Sequence, residues 1–125
     1  MILLLDTHAL VWWLDDAPTL STDARAAIES NANDVLVSAA SAWELAIKIA
    51  KGKLRLEVDL PADIEAAGFI GLSITIADAQ AAASLPPHHD DPFDRMLIAQ
   101  AQRIDAVIVS RDAAFAAYDV NQLLA

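Results

Sequence analysis

Met1-Ile2-Leu3-Leu4-Leu5 is an unbroken apolar run that stops at Asp6. A run this short suits a strand better than a helix, and its lack of alternation fits a central strand covered on both faces. With no basic leader and no cleavage site beside it, the run does not have the form of a signal peptide. Comparable stretches recur at Asp34-Val35-Leu36-Val37-Ser38, Leu72-Ser73-Ile74 and Ala106-Val107-Ile108-Val109, and Tyr118-Asp119-Val120 is expected as a last edge strand. Helical signals lie between them. One helix runs through Leu14, one is capped by Ser21 and reaches Ser30, and one covers Ala40 to Lys51 with Gly52 just past its end. Leu60-Pro61 opens a short helix to Ala67, Thr75-x-x-Asp78 caps an alanine-rich one, Asp91-Pro92 starts one that ends near Arg103, and Asp112 starts another short one. Strands alternating with helices in this way predict an α/β fold with a central, mostly parallel sheet covered on both faces.

Of the 125 residues 56% are apolar, enough for a sizeable core in a single domain spanning 1–125. No repeat, low-complexity tract or Gly/Ser-rich linker divides the chain. The absence of cysteine excludes a disulfide scaffold and a thiolate zinc site, and fits a reducing, cytoplasmic setting. Charges interrupt every apolar stretch well short of a bilayer's width, so no membrane association is expected. Eighteen acids against eight Lys and Arg give a net charge of −10. That balance argues against an electrostatic coat on nucleic acid, yet it leaves open a site that gathers carboxylates around a cation.

Ligands of an open parallel sheet bind beyond the C-terminal ends of its strands. Asp6 directly follows the first strand and Asp112 lies three residues after Val109; Glu44 and Asp94 sit in the first turns of two helices that start at the same edge. Four converging carboxylates repel one another unless a cation neutralises them, and hard oxygen donors favour Mg2+, with Mn2+ as the alternative. Such an ion polarises a phosphate and acidifies water, the chemistry of a phosphodiester nuclease. Each acid also has an ordinary structural role available. Ser41-x-x-Glu44 has the form of a capping box, Glu44 has Lys48 one turn on, Asp91 suits an N-cap with Asp94 at the third helical position, and Asp6 and Asp112 are both placed to cap. Their shared edge, which Asp15, Asp16, Asp59 and Glu65 lack, favours a site.

Three blocks carry a family resemblance over nearly the whole chain: Leu5-Asp6-Thr7-His8-Ala9-Leu10; Ser38-x-x-Ser41-x-Trp43-Glu44-Leu45-Ala46-Ile47-Lys48 with Gly52-Lys53-Leu54; and Asp91-Pro92-Phe93-Asp94-Arg95-Met96-Leu97-Ile98-Ala99-Gln100-Ala101. In this order and spacing the chain resembles a PIN-domain protein, and among these the VapC-type toxins of bacterial type II toxin–antitoxin pairs. The resemblance implies a PIN-like three-layer α/β/α fold and a magnesium-dependent endoribonuclease, usually a homodimer, silenced by an antitoxin encoded beside it.

Carried over residue by residue, the resemblance gives Asp6 as the metal-binding acid that ends the first strand and Glu44 as the helix glutamate. It gives Asp94 as the second metal-binding aspartate, four positions before Ile98-Ala99-Gln100-Ala101. The family's last acid lies in a Thr-x-Asp, for which this chain has Ser110-Arg111-Asp112. Asp91, one turn before Asp94, competes with it or serves as cap or supporting acid. Asp6 and Asp94 would hold the metal while Glu44 and Asp112 orient or deprotonate the attacking water, leaving a 5′-phosphate and a 3′-hydroxyl. Thr7, Ser38 and Ser110 offer hydroxyls to ligands or substrate, or cap helices.

His88-His89-Asp90-Asp91 places metal-binding side chains in a row, but adjacent histidines in a loop point apart and no further His or Cys completes a zinc site. His8 either reaches the site or packs on Trp12, and Trp12-Trp13 fits core or partner surface better than a stacking platform. Lys48, Lys51, Lys53 and Arg55 form a basic strip that, with Arg95 and Arg111, either holds RNA phosphates or solvates a helix end. A catalytically silent PIN-like scaffold is the alternative function. A phosphoacceptor receiver fits poorly, because Ser110-Arg111 stands where a lysine is wanted and Asp6 is a lone acid. The charge is also local: Glu57 to Asp94 carries eight acids and no Lys or Arg, whereas Lys48 to Arg55 is purely basic. RNA binding without metal should therefore be weak, and an antitoxin should offer Arg or Lys to the acidic pocket.

Overall fold

Leu3, Leu4 and Leu5 lie fully enclosed at the centre of a five-stranded sheet, which is why the first run has no polar residue. The computed structural model describes residues 1–125. Its strands are β1 (Ile2–Leu5), β2 (Asp34–Ser38), β3 (Ile70–Leu72), β4 (Val107–Val109) and β5 (Asn121–Leu123). They stand in the order β3-β2-β1-β4-β5 with every neighbouring pair parallel. The helices are α1 (Thr7–Leu14), α2 (Thr22–Glu29), α3 (Ala39–Ala50), α4 (Leu60–Ala66), α5 (Ile76–Ser84) and α6 (Pro92–Ile104), with a 3₁₀ turn at Ala113–Ala117. This is the expected three-layer α/β/α arrangement. No helix is long and apolar enough to cross a membrane.

The alternation of side chains along β1 divides the core. Leu3 and Leu5 join Ala9, Leu10, Ala24, Ile28 and Leu45 from α1, α2 and α3, while Leu4 joins Leu97, Ile98 and Ala101 of α6 and Phe115 on the opposite face. Burying one such leucine is worth about 1.5–3 kcal/mol, so the two clusters fix how the helices sit on the sheet. The strand order reverses at β1. The chain moves from β1 outward to β2 and β3, then returns to place β4 on the other side of β1. A crevice opens at such a switch point, beyond the C-terminal ends of β1 and β4, where Asp6 and Ser110-Arg111-Asp112 emerge.

Three elements differ from expectation. The third strand is Ile70–Leu72 rather than Leu72–Ile74, because β2 pairs Leu36 with Ile70 and Ser38 with Leu72 while Phe69 is seated in the core. The last strand is Asn121–Leu123 rather than Tyr118–Val120: Tyr118 is held outside the sheet by its hydroxyl, which donates to the Pro86 carbonyl at 2.6 Å. The segment after Asp112 is a single 3₁₀ stretch. Ser41 and Glu44 also form no capping box. Ser38 is the N-cap of α3, and Ser41 lies inside the helix with its hydroxyl donating to the Leu5 carbonyl at 3.3 Å.

Candidate active site

Asp6 is 4% exposed. Its backbone N–H prolongs the β1–β4 ladder by donating to the Val109 carbonyl at 3.1 Å, and its Oδ1 accepts from Ala9 N at 2.8 Å, capping α1. Burial pushes its carboxyl above the usual aspartate range, against a hydrogen bond from Ser110, the Ala9 amide and the charge of His8; Glu44 adds repulsion. No Lys or Arg pairs with it. The next residue, Thr7, donates its hydroxyl to Glu44 Oε1, tying α1 to α3, and Lys48 Nζ lies 3.4 Å from Glu44 Oε2.

Asp94 occupies the third position of α6, whose N-cap is Asp91; Asp91 Oδ1 accepts from Phe93 N at 2.8 Å and from Asp94 N at 3.1 Å. Desolvation raises the Asp94 carboxyl to about 6; a hydrogen bond from His89 opposes the shift, and repulsion from Asp91 and Asp6 adds to it. Asp112 caps the 3₁₀ turn through Ala114 N at 2.9 Å and is half exposed. Its backbone N–H donates to the Ser110 hydroxyl.

Asp6, Glu44 and Asp94 thus sense one another's charge, and Asp112 reaches the same place through His89. His89 Nε2 lies 2.8 Å from Asp94 Oδ2 and 3.8 Å from Asp112 Oδ2. The caps leave room for a site, since Asp6, Asp91 and Asp112 each use one oxygen on the backbone. A divalent cation fits this donor set on chemical grounds. Asp6 and Asp94 are carboxylates taken from water with no Lys or Arg partner, a state that costs free energy until a cation is supplied.

Several other residues are held by contacts of their own. Arg95 directs its guanidinium away from the acids, to the carbonyls of Ala82, Leu85, Pro86 and His89 at 2.8–3.2 Å. Arg111 lies over the Trp12 ring at 4.6 Å and donates to the Thr19 and Ala125 carbonyls. The Arg95 guanidinium is thereby committed, whereas Arg111 donates through Nη2 alone and lines an open pocket with Asp6, His8, Trp12 and Asp112. Ser38 caps α3 and donates to Gln100 Oε1 at 2.6 Å, locking β2 to α6. His8 packs on Trp12 with ring centroids 5.9 Å apart. Lys51, Lys53 and Arg55 remain exposed along the exit of α3. Sequence reasoning set His89 aside as half of an incomplete zinc pair. The signal that finds it is its place five residues before Asp94 in a loop the fold turns back over α6.

A parallel sheet in this order, with acids gathered at its switch point from the end of β1, from α3 and α6 and from the β4 exit, defines an α/β protein with a carboxylate cluster at its ligand-binding edge. A family model for the PIN domain matches residues 3–121, and the chain belongs to that family. No curated protein matches by sequence. Among solved structures, the chain is similar to VapBC2 from Rickettsia felis bound to a DNA fragment from their promoter, with a TM-score of 0.75, 16% identity and 98% of each chain covered. It is similar to FitAcB from Neisseria gonorrhoeae, with a TM-score of 0.66, 24% identity and coverage of 99% of this chain and 97% of that one. It is also similar to a toxin–antitoxin complex from Klebsiella pneumoniae, with a TM-score of 0.68, 17% identity and coverage of 97% and 95%. At these identities the likeness is one of fold.

Proposed function

We propose that the chain is a single-domain, Mg2+-dependent endoribonuclease, with Mn2+ as an alternative ion, and the toxin of a type II toxin–antitoxin pair. The observation that carries this reading is the convergence of Asp6, Glu44, Asp94 and Asp112 on the switch point of a PIN-family sheet, with Asp6 and Asp94 unmatched by any Lys or Arg. Asp6 and Asp94 would hold the ion. When bound, the ion supplies charge neutralisation at the phosphate and acidifies water. Glu44, fixed by Thr7 and Lys48, and Asp112, fixed by its own turn, orient the attacking water and take its proton. In-line attack on the phosphodiester then leaves a 5′-phosphate and a 3′-hydroxyl. Ser110 and Thr7 hold the carboxylates in place, and Asp91 supports Asp94 through the α6 cap.

The partners are an RNA substrate, a cognate antitoxin that offers Arg or Lys to the acidic pocket, and a second copy of the chain, all in the cytoplasm where that substrate lies. The likeness of fold to toxin–antitoxin complexes supports the antitoxin. Ile70 on the edge strand β3, with Ile74 in the loop after it and Ile76, 91% exposed, at the start of α5, presents exposed apolar side chains that support a protein partner. Purified protein with Mg2+, incubated with cellular RNA beside Asp6→Asn and Asp94→Asn, tests the reading. Cleavage by the wild type alone is expected. Equal cleavage by all three removes the site, and no cleavage by the wild type turns the reading to a silent PIN-like scaffold that acts by binding.

A further inference from the structure

We propose that His89 is a nitrogen ligand of the divalent ion, alongside Asp94, and that it biases the site toward Mn2+ over Mg2+. The inference rests on the metal-dependent reading above and extends its ligand set beyond carboxylates. One donor atom each from His89, Asp94 and Asp112 lies within 4.8 Å of the others. Two donors on an octahedral ion with bonds near 2.1 Å stand about 3.0 Å apart when adjacent and about 4.2 Å apart when opposite. The 2.8 Å from His89 Nε2 to Asp94 Oδ2, a hydrogen bond that an ion would replace, lies near the adjacent spacing, and the 3.8 Å to Asp112 Oδ2 falls between the two.

The imidazole is held there by residues outside the acidic group. The His88 and His89 amides donate to the Tyr118 hydroxyl at 3.1 and 2.9 Å, and that hydroxyl donates to the Pro86 carbonyl. Arg95 clamps the same loop, donating to the Leu85 carbonyl at 2.8 Å and the His89 carbonyl at 3.2 Å. The His89 ring stands edge-on to Phe115, which is fully buried, with centroids 6.4 Å apart. His88 is turned the other way, onto Tyr118. A ring packed on Phe115, on a loop whose backbone Tyr118 and Arg95 clamp, loses less freedom when it binds an ion than one on an unclamped loop. Arg95 and Tyr118 are thereby positioning residues for it. Imidazole nitrogen suits transition ions, whereas Mg2+ takes oxygen and retains its water, so the added donor favours Mn2+.

The test uses the full chain with Mn2+ as the probe. Pulsed EPR reads nitrogen coupling to bound Mn2+, and calorimetry gives Mn2+ and Mg2+ affinities for the wild type, His89→Gln and His88→Gln, each checked for a cooperative thermal transition. Nitrogen coupling is expected in the wild type and His88→Gln and lost in His89→Gln. Mn2+ affinity should fall about tenfold or more in His89→Gln, with a smaller fall for Mg2+. Bound Mn2+ without nitrogen coupling in the wild type overturns the proposal, as does coupling that persists in His89→Gln. RNA cleavage in the same preparations separates the two readings. Cleavage with a nitrogen-free Mn2+ signal removes His89 and keeps the nuclease, whereas nitrogen-coupled Mn2+ without cleavage keeps His89 and removes the nuclease.

Discussion

Asp78 and Asp6 are the same residue type at nearly the same depth, 1% and 4% exposed, yet their surroundings drive their carboxyls in opposite directions. Asp78 receives the Arg103 guanidinium at 2.6 and 3.0 Å and closes a capping box with Thr75 at the start of α5, so its carboxyl is held below the usual range. Asp6 is pushed above that range by burial, and Asp94 by burial and by its acidic neighbours. A fold that buries a carboxylate for stability gives it a cation and backbone donors from within. One that buries several with no Arg or Lys leaves the charge to be neutralised from outside. The contrast therefore separates the acid tied into the fold from the acids proposed as ligands without reference to any relative.

The largest expected effect breaks the contrast on the functional side. Asp94→Asn and Asp6→Asn each lower RNA cleavage by at least about 100-fold, the order found when a group that stabilises developing charge is lost. Neither lowers the metal-free melting temperature, because each removes an unmatched buried charge while the Asn oxygen keeps the Asp6 cap; end-labelled RNA assays and melting curves check both halves. Asp78→Asn shows the reverse, a lower melting temperature with unchanged cleavage per folded molecule.

A second test sharpens the contrast by pH. Folding raises Asp94 to about 6 from an unfolded value near 3.9. Its contribution is therefore fully present below pH ~3.9 and is lost as pH rises through about 6. Asp78 is lowered, so its contribution is present above pH ~3.9 and is lost as pH falls through the lowered value. Metal-free protein taken from pH 7 to 5 should gain stability from Asp94. Asp94→Asn should remove that gain and Asp78→Asn should keep it, as read by denaturant titration at each pH.

Two smaller effects probe the scaffolding around each acid. Thr75→Ala removes half of the capping box and should cost about 1 kcal/mol in chemical denaturation with cleavage unaltered. Lys48→Ala breaks a partly exposed pair with Glu44 across one helical turn and should cost about 0.3–0.5 kcal/mol, a loss that shrinks as salt is raised.

Most of the fold was legible in the chain because its signals are local. The apolar run before Asp6, the caps at Ser21 and Thr75, Pro92 after Asp91 and the glycine at 52 each depend on a few neighbouring residues, and the helices begin and end close to where those residues stand. The two misplaced strands are three-residue edge strands, β3 and β5. Their position is set by register against β2 and β4, which no local pattern encodes. The same division runs through the site. Asp6, Glu44, Asp94 and Asp112 could be singled out because strand ends and helix starts share one edge of a parallel sheet.

The order of residues alone thus determined the alternating architecture, the absence of cysteine chemistry and the four acids at one edge. It could not tell a cap from a ligand, because one carboxylate oxygen can cap while the other faces a site, as in Asp6 and Asp112. Only the tertiary structure decided that Arg95 and Arg111 serve the protein's own carbonyls and that Glu44 answers to Thr7. It alone brought His89 to the acids as well. The physical reason is the same throughout: propensity acts over a turn of chain, whereas charge, burial and donor geometry act between residues that meet only after the sheet has closed on its helices.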